Sequence, residues 1–279
     1  MNFSPTPNMI AEKDGPIGRL TFNKPHKHNA TSTDMWEAIP VILDEFEKDP
    51  AIRVVVVTGA GDKAFVSGAD ISEFEKARNT PEQVAYYDKI GELANKRLNR
   101  CSKPTIARIR GYCIGGGLAV SLLCDIRIAS ENSKFGVPAA RLGLGYRASG
   151  LKILTDLVGP SHAKEIFFTA RHFSAQEAFG MGLITRMVPD AELDSYVDNY
   201  CKLIGENAPL TMHAAKRVVE ELTRLDGKTV GFIANNPIQK GGALDVDACN
   251  KVVSFLVLCD SFNIPLVFLV DVPGFLIGL

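Results

Sequence analysis

The sequence predicts an α/β chain in which strands and helices follow one another in right-handed succession, and three observations carry that expectation. Short, strongly apolar runs at Ile17 to Phe22, Val54 to Thr58 and Thr105 to Ile109 have the length and β-branched content of strands in a buried parallel sheet. Longer segments of helical periodicity, Thr33 to Lys48 and Pro81 to Arg100, separate them, which gives a ββα-like superhelix of crossover units. From residue 149 to Arg224 amphipathic helices dominate, and beyond them lies an extra strand, helix and strand.

Each element has its local reason. Strand Ile17 to Phe22 stops at the turn Asn23-Lys24-Pro25, and Ser32 is the expected N-cap of helix Thr33 to Lys48, with Pro40 as its expected kink. Strand Val54 to Thr58 leads into Ala64-Phe65-Val66-Ser67-Gly68-Ala69-Asp70, and helix Pro81 to Arg100 then crosses over. Strand Thr105 to Ile109 is expected to turn through Gly115-Gly116-Gly117 into a helix from Leu118 to Cys124. Helices are expected at Ser161 to Thr169, Ala191 to Glu206 and Leu210 to Arg224. In the tail, Gly227 to Pro237 reads as a new strand and turn, Asp245 to Phe262 as a buried helix and Leu266 to Val270 as a buried parallel strand. Asn235-Asn236-Pro237 echoes Asn23-Lys24-Pro25, so the tail looks like the beginning of a second copy of the same unit.

Composition removes several classes of function. A formal net charge of −1 over 279 residues gives no general attraction to nucleic acid or to an anionic membrane. The apolar stretch Val252 to Leu279 is interrupted by Asp260, Pro265 and Asp271, leaving no run near the ~20 residues a spanning helix needs. The six cysteines show neither CxxC spacing nor a neighbouring histidine pattern, so they read as reduced core residues and no metal site is expected. The polar, proline-containing N-terminus has neither the basic start nor the apolar stretch of a signal peptide, which makes the cytoplasm the expected location.

The glycine turn is where chemistry is expected. A strand that passes through glycine into a helix exposes unpaired backbone N–H groups at the positive end of the helix dipole, where an anion can be held. The turn around Gly68 and Ala69 offers a second set of donors, and two N–H groups converging on one oxygen form an oxyanion hole. Three stretches carry a resemblance: KAFVSGADISEF, IRGYCIGGGLAVSLLCDIRIA and KEIFFTARHFSAQEAFGMGLITRMVP. Together they resemble the crotonase (enoyl-CoA hydratase/isomerase) superfamily of acyl-CoA enzymes from about Phe3 to Leu222. The segment from Leu225 to Leu279 resembles instead a fragment of the biotin-dependent acyl-CoA carboxyltransferases, of the propionyl-CoA carboxylase β type. The expected domains are therefore a crotonase-like unit at 1–224, with its superhelix at 1–148 and its helical region at 149–224, and a truncated carboxyltransferase-like segment at 225–279.

The resemblance implies a crotonase-like fold, an acyl-CoA substrate, no permanently bound cofactor, coenzyme A entering only as part of the thioester, and a homo-oligomer, trimer or hexamer in the family. It places the backbone N–H groups of Ala69 and Gly116 on the thioester oxygen. His26, Lys27 and His28 would lie at the adenine and phosphate end of coenzyme A, with Gly68, Asp70 and Ile71 along the same loop. A solvated basic turn is the alternative for the first three, and a purely structural, loop-orienting role is the alternative for Asp70. The two glutamates with which hydratases of the family move protons fall at Ala119 and Ala139, and alanine moves no proton. Leu142-Gly143-Leu144-Gly145-Tyr146-Arg147 looks more like the methylmalonyl-CoA decarboxylase branch, in which a tyrosine at the position of Tyr146 contacts the departing carboxylate. That branch also carries a histidine where this chain has Ala69 and a glutamate where it has Ala119. Arg147 is a candidate partner for a substrate carboxylate; a packed Tyr146 and a solvated Arg147 are the alternatives. Three functions stay open: decarboxylation of a malonyl-type acyl-CoA, hydration or isomerisation with non-standard acid and base groups, and acyl-CoA binding without catalysis.

Overall fold

The computed structural model describes residues 2–73, 79–221, 223–225, 228–234 and 245–269. The chain divides into two units, Met1–Pro209 and Leu210–Leu279.

The first unit contains strands β1 (Asn2–Thr6), β2 (Met9–Asp14), β3 (Ile17–Phe22), β4 (Val54–Gly59), β5 (Ala64–Val66), β6 (Thr105–Ile109), β7 (Tyr112–Ile114), β8 (Ile126–Ser130), β9 (Lys134–Gly136), β10 (Phe173–Ser174) and β11 (Arg186–Val188). Its helices are α1 (Thr33–Lys48), α2 (Pro81–Asn99), α3 (Gly116–Leu122), α4 (Ala139–Leu142), α5 (Ala148–Thr169), α6 (Ala175–Gly180) and α7 (Leu193–Gly205). One sheet runs β1-β2-β3-β4-β6-β8-β11, parallel from β3 onward, and a second runs β10-β9-β7-β5. Every residue of β4 is buried, as expected of a central parallel strand whose two faces are both covered. On one face Val55 and Val57 join the core formed with Ile39, Ile42, Leu43 and Phe46 of α1; on the other Val54 and Val56 meet Leu193, Val197 and Cys201 of α7.

The expected strands β3, β4 and β6 and helices α1 and α2 lie where their patterns place them, and Pro40 is inside α1. Three features differ. The hairpin β1–β2 was not anticipated, because its five-residue first strand NFSPT is polar and proline-bearing; it forms as an antiparallel edge that needs one buried face only. The glycine turn follows β7, a separate strand in the second sheet, rather than β6, and α3 begins at Gly116, so the glycines themselves form its first turn. Ser32 caps α1 by position, but its hydroxyl donates to Asp34 Oδ1 at 2.5 Å instead of accepting from the helix.

The second unit comprises α8 (Pro209–Glu221), β12 (Thr223–Leu225), β13 (Lys228–Ala234), α9 (Val246–Ser261) and β14 (Leu266–Leu269). The helix expected to run to Arg224 ends at Glu221, because Thr223–Leu225 pairs antiparallel with β13. Strands β13 and β14 are parallel, with α9 as their crossover, which is the expected strand, helix and strand. Asp245 caps α9 by accepting the Ala248 N–H at 2.8 Å. The expectation of a buried helix and a buried strand is corrected: Cys259 is buried, but Val246, Val253 and Val257 of α9 and Phe268 of β14 are exposed, since a three-stranded sheet offers one helix a single face and leaves the rest uncovered. Asn235-Asn236-Pro237, on which the internal echo rests, lies outside the described residues. No helix among the described residues is long and apolar enough to cross a membrane.

Candidate active site

Strands β5 and β7 pair in parallel, Ala64 with Tyr112 and Val66 with Cys113, and parallel neighbours deliver their following loops to the same edge. Ser67-Gly68-Ala69-Asp70 and Gly115-Gly116-Gly117 therefore meet. The three glycines divide the work. Gly115 has φ +56°, a conformation that side chains rarely adopt, and its N–H donates to Gly136 O at 2.8 Å, tying the turn to β9. Gly117 lies so close to β5 that a Cβ would stand 2.0 Å from Val66 O. At Gly116 a Cβ would meet only ordinary contacts, 3.8 Å from Gly68 Cα and 4.0 Å from Ala69 N, which means it would occupy the gap between the two turns.

Ala69 N borders that gap. Thr31 and Ala69 form a parallel bridge in which the Thr31 N–H donates to Gly68 O and the Asp70 N–H to Thr31 O, each at 2.8 Å. The backbone alternates its direction from residue to residue, so the N–H of Ala69 points away from Thr31. Gly116 opens α3, and its N–H has no carbonyl one turn back within the helix. Ala69 N and the first turn of α3 thus border the same gap.

The turn carrying Ala69 is laced to the turn Lys24–Ala30. Asn29 Nδ2 donates to Ala60 O at 2.9 Å and Ala64 O at 2.8 Å, and the Ser67 N–H donates to His28 O at 3.1 Å. Asp70 is buried, and its carboxylate accepts from Lys24 Nζ at 2.8 Å, Lys27 Nζ at 2.9 Å, and the Ser72 N–H and hydroxyl at 3.1 and 2.6 Å. Burial alone would raise its pKa, but the hydrogen bonds from Lys24, Ser72 and Lys27 outweigh it and hold the carboxyl well below the usual range. Lys24 and Asn29 were not singled out from the sequence. The only signal is a lysine and an asparagine inside a turn read either as the coenzyme A end of the site or as a solvated basic loop.

Tyr146 is half-buried, edge-on to Phe167 with ring centroids 5.0 Å apart. Its hydroxyl lies 3.9 Å from the position of a Cβ on Gly115, and among the described residues it has no hydrogen-bond partner. Burial raises its pKa, so the phenol stays protonated and able to donate at neutral pH. Ala119 sits in the first turn of α3 and Ala139, buried, opens α4; neither brings an ionisable group to the turn. Cys113, one residue before Ile114, is fully enclosed, and burial pushes its thiol up to about 12, which leaves it inert.

The remaining candidates lie further out. Arg147 donates to Asp88 at 2.7 Å and Glu92 at 3.2 Å on α2, so carboxylates of the protein itself already occupy its guanidinium. Lys27 donates to Ser72 Oγ at 2.6 Å as well as to Asp70. His26, His28 and Ile71 are exposed, and His28 is edge-on to Tyr112. No cluster of three metal-binding side chains occurs among the described residues.

A family model described as enoyl-CoA hydratase/isomerase matches residues 12–240, and one described as carboxyl transferase domain matches residues 209–279. The chain is 38% identical over 222 residues to a short-chain-enoyl-CoA hydratase of Clostridium acetobutylicum, covering 78% of this chain and 83% of that protein. It is 32% identical over 219 residues to a crotonyl-CoA hydratase of Syntrophomonas wolfei, covering 78% and 84%. Among solved structures, an enoyl-CoA hydratase/carnithine racemase from Magnetospirillum magneticum superposes with TM-score 0.75 at 28% identity over 94% of this chain and 95% of that one. An enoyl-CoA hydratase from Bacillus anthracis does so with TM-score 0.72 at 32% identity over 76% and 82%.

Proposed function

Because the chain belongs to the enoyl-CoA hydratase/isomerase family and has its crotonase-like fold, we propose that it forms an enolate from an acyl-CoA thioester in the gap between Ala69 and Gly116. The observation that carries this reading is the approach of the two turns, close enough that a Cβ on Gly116 would stand 4.0 Å from Ala69 N. The reaction that best fits the side chains around that space is loss of CO2 from a malonyl-type thioester. The bond from the α-carbon to the carboxylate breaks, its electron pair passes into the thioester as an enolate, and the two N–H groups hold the oxygen that gains charge. CO2 leaves and the α-carbon takes a proton from water. This step needs no general base, only a carboxylate held perpendicular to the thioester plane; the Tyr146 hydroxyl, 3.9 Å from the position of a Cβ on Gly115, supports this reading as a candidate donor to that carboxylate.

Hydration is the second reading, favoured by the names of the Clostridium and Syntrophomonas relatives. It requires groups that activate water and deliver a proton, and Ala119 and Ala139 stand where the family's glutamates would be. The two readings separate in one assay. The protein should hydrate crotonyl-CoA poorly, and Ala119→Glu with Ala139→Glu should raise that rate by about 100-fold, the scale of general acid–base catalysis. Substantial hydration by the unaltered chain would establish the second reading.

A further inference from the structure

We propose that Arg147 is a positioning residue for Tyr146: its guanidinium, clasped by Asp88 and Glu92 of α2, holds the loop that carries the phenol and so fixes the place of the hydroxyl beside the gap. The inference deepens the decarboxylation reading above and rests on it.

The loop joining α4 to α5 gains little from packing. Leu142 and Leu144 are more than half exposed, and at Gly143 and Gly145 a Cβ would meet nothing within 4 Å. At the upstream end the N–H groups of Gly143 and Leu144 both donate to Ala139 O, which belongs to a helix of only four residues. Downstream, Leu154, Val158, Ala163 and Ile166 fix α5 in the core, and the first of them lies more than a turn beyond the start of that helix at Ala148. Between these anchors Tyr146 rests edge-on against Phe167, which locates the ring without a hydrogen bond to its hydroxyl.

Arg147, the next residue, adds a restraint on the backbone beside the phenol. Its Nη2 donates to Asp88 at 2.7 Å and its Nη1 to Glu92 at 3.2 Å, one carboxylate for each arm of the fork. Asp88 and Glu92 stand one helical turn apart on the same face of α2, where two like charges repel unless a cation lies between them. Helix α2 is in turn seated on α1: its Ile90, Ala94 and Leu98 are buried, and Trp36 Nε1 donates to the Tyr87 hydroxyl at 2.9 Å, beside Asp88. The clasp therefore ties the loop to a helix that is itself anchored. The three side chains are 60%, 49% and 70% exposed, so the clasp is worth a few-fold in rate and is sensitive to salt, whose Debye length falls from about 10 Å at 0.1 M to about 3 Å at 1 M.

Turnover of methylmalonyl-CoA and amide hydrogen exchange of the segment 142–147, read on the same proteins, test the proposal. Arg147→Met should lower kcat about fivefold, the scale of two exposed ion pairs, with KM within about twofold, and should speed exchange of the Gly145 and Tyr146 amides. Asp88→Asn with Glu92→Gln, which leaves the arginine in place, should do the same. In 1 M salt the kcat of the unaltered protein should fall towards that of Arg147→Met, whose own kcat should stay level. In the Tyr146→Phe background Arg147→Met should cost less than about twofold, because no hydroxyl is left to position. Unchanged kcat or unchanged exchange in Arg147→Met would overturn the proposal. So would full kcat in Asp88→Asn with Glu92→Gln beside a raised KM in Arg147→Met, since the guanidinium would then bind the substrate itself. If the unaltered protein leaves methylmalonyl-CoA intact, the decarboxylation reading itself is wrong; the positioning role falls with it, and exchange then reports only whether the clasp holds the loop.

Discussion

Gly116 and Tyr146 are the residues at which function and packing can be separated. A methyl group at Gly116 meets nothing closer than 3.8 Å in the protein but stands in the gap where a thioester oxygen would sit. Gly116→Ala should therefore change stability by less than about 1 kcal/mol, since alanine suits a helix better than glycine, yet abolish turnover and the binding of acyl-CoA in a productive pose. Urea unfolding and a turnover assay on the same preparation check both halves; loss of stability comparable with the loss of activity would contradict the assignment. Tyr146→Phe keeps the ring on Phe167 and removes only a hydroxyl that has no partner among the described residues. It should lower turnover of a malonyl-type thioester by about tenfold or more while leaving thioester affinity within about threefold. Unchanged turnover would make Tyr146 a packing residue.

At the scale of elements, the site depends on how closely α3 approaches β5. A Cβ at Gly117 would stand 2.0 Å from Val66 O, a backbone atom that cannot step aside without moving its strand. Gly117→Ala should cost about 3 kcal/mol, the upper range for overpacking a core, and should disturb both donor turns. Its neighbour Gly116→Ala should not, and equal stability of the two variants would contradict this account of the glycine turn. The contrast also shows what a sequence can disclose. Strands β3, β4 and β6 and helix α2 are legible because burial on one or both faces writes a strong period into local residues. The two donor turns are legible because a short glycine-rich motif marks them. Strand β7 is not, because YCI is three residues whose strand state comes from pairing with β5 and β9, partners far away in the chain. Lys24 and Asn29 escaped for the same reason: their partners Asp70, Ala60 and Ala64 are 31 to 46 residues away, and nothing local signals that the turn is enclosed. Arg147 read as an available cation because Asp88 and Glu92 belong to a different helix.

At the scale of the whole molecule two family models share the chain and overlap: residues 12–240 match the enoyl-CoA hydratase/isomerase model and residues 209–279 the carboxyl transferase model. Ala69, Gly116 and Tyr146, the groups proposed for the chemistry, lie in the unit Met1–Pro209. Among its described residues the second unit supplies a strand, helix and strand. The central claim is that this site makes an enolate without the two hydratase glutamates. Turnover of methylmalonyl-CoA in deuterium oxide, with crotonyl-CoA in a parallel reaction and mass analysis of both thioesters, tests it most directly. The expected product is propionyl-CoA carrying one deuterium on its α-carbon, with crotonyl-CoA left largely unchanged. Intact methylmalonyl-CoA beside rapid gain of water by crotonyl-CoA would contradict it.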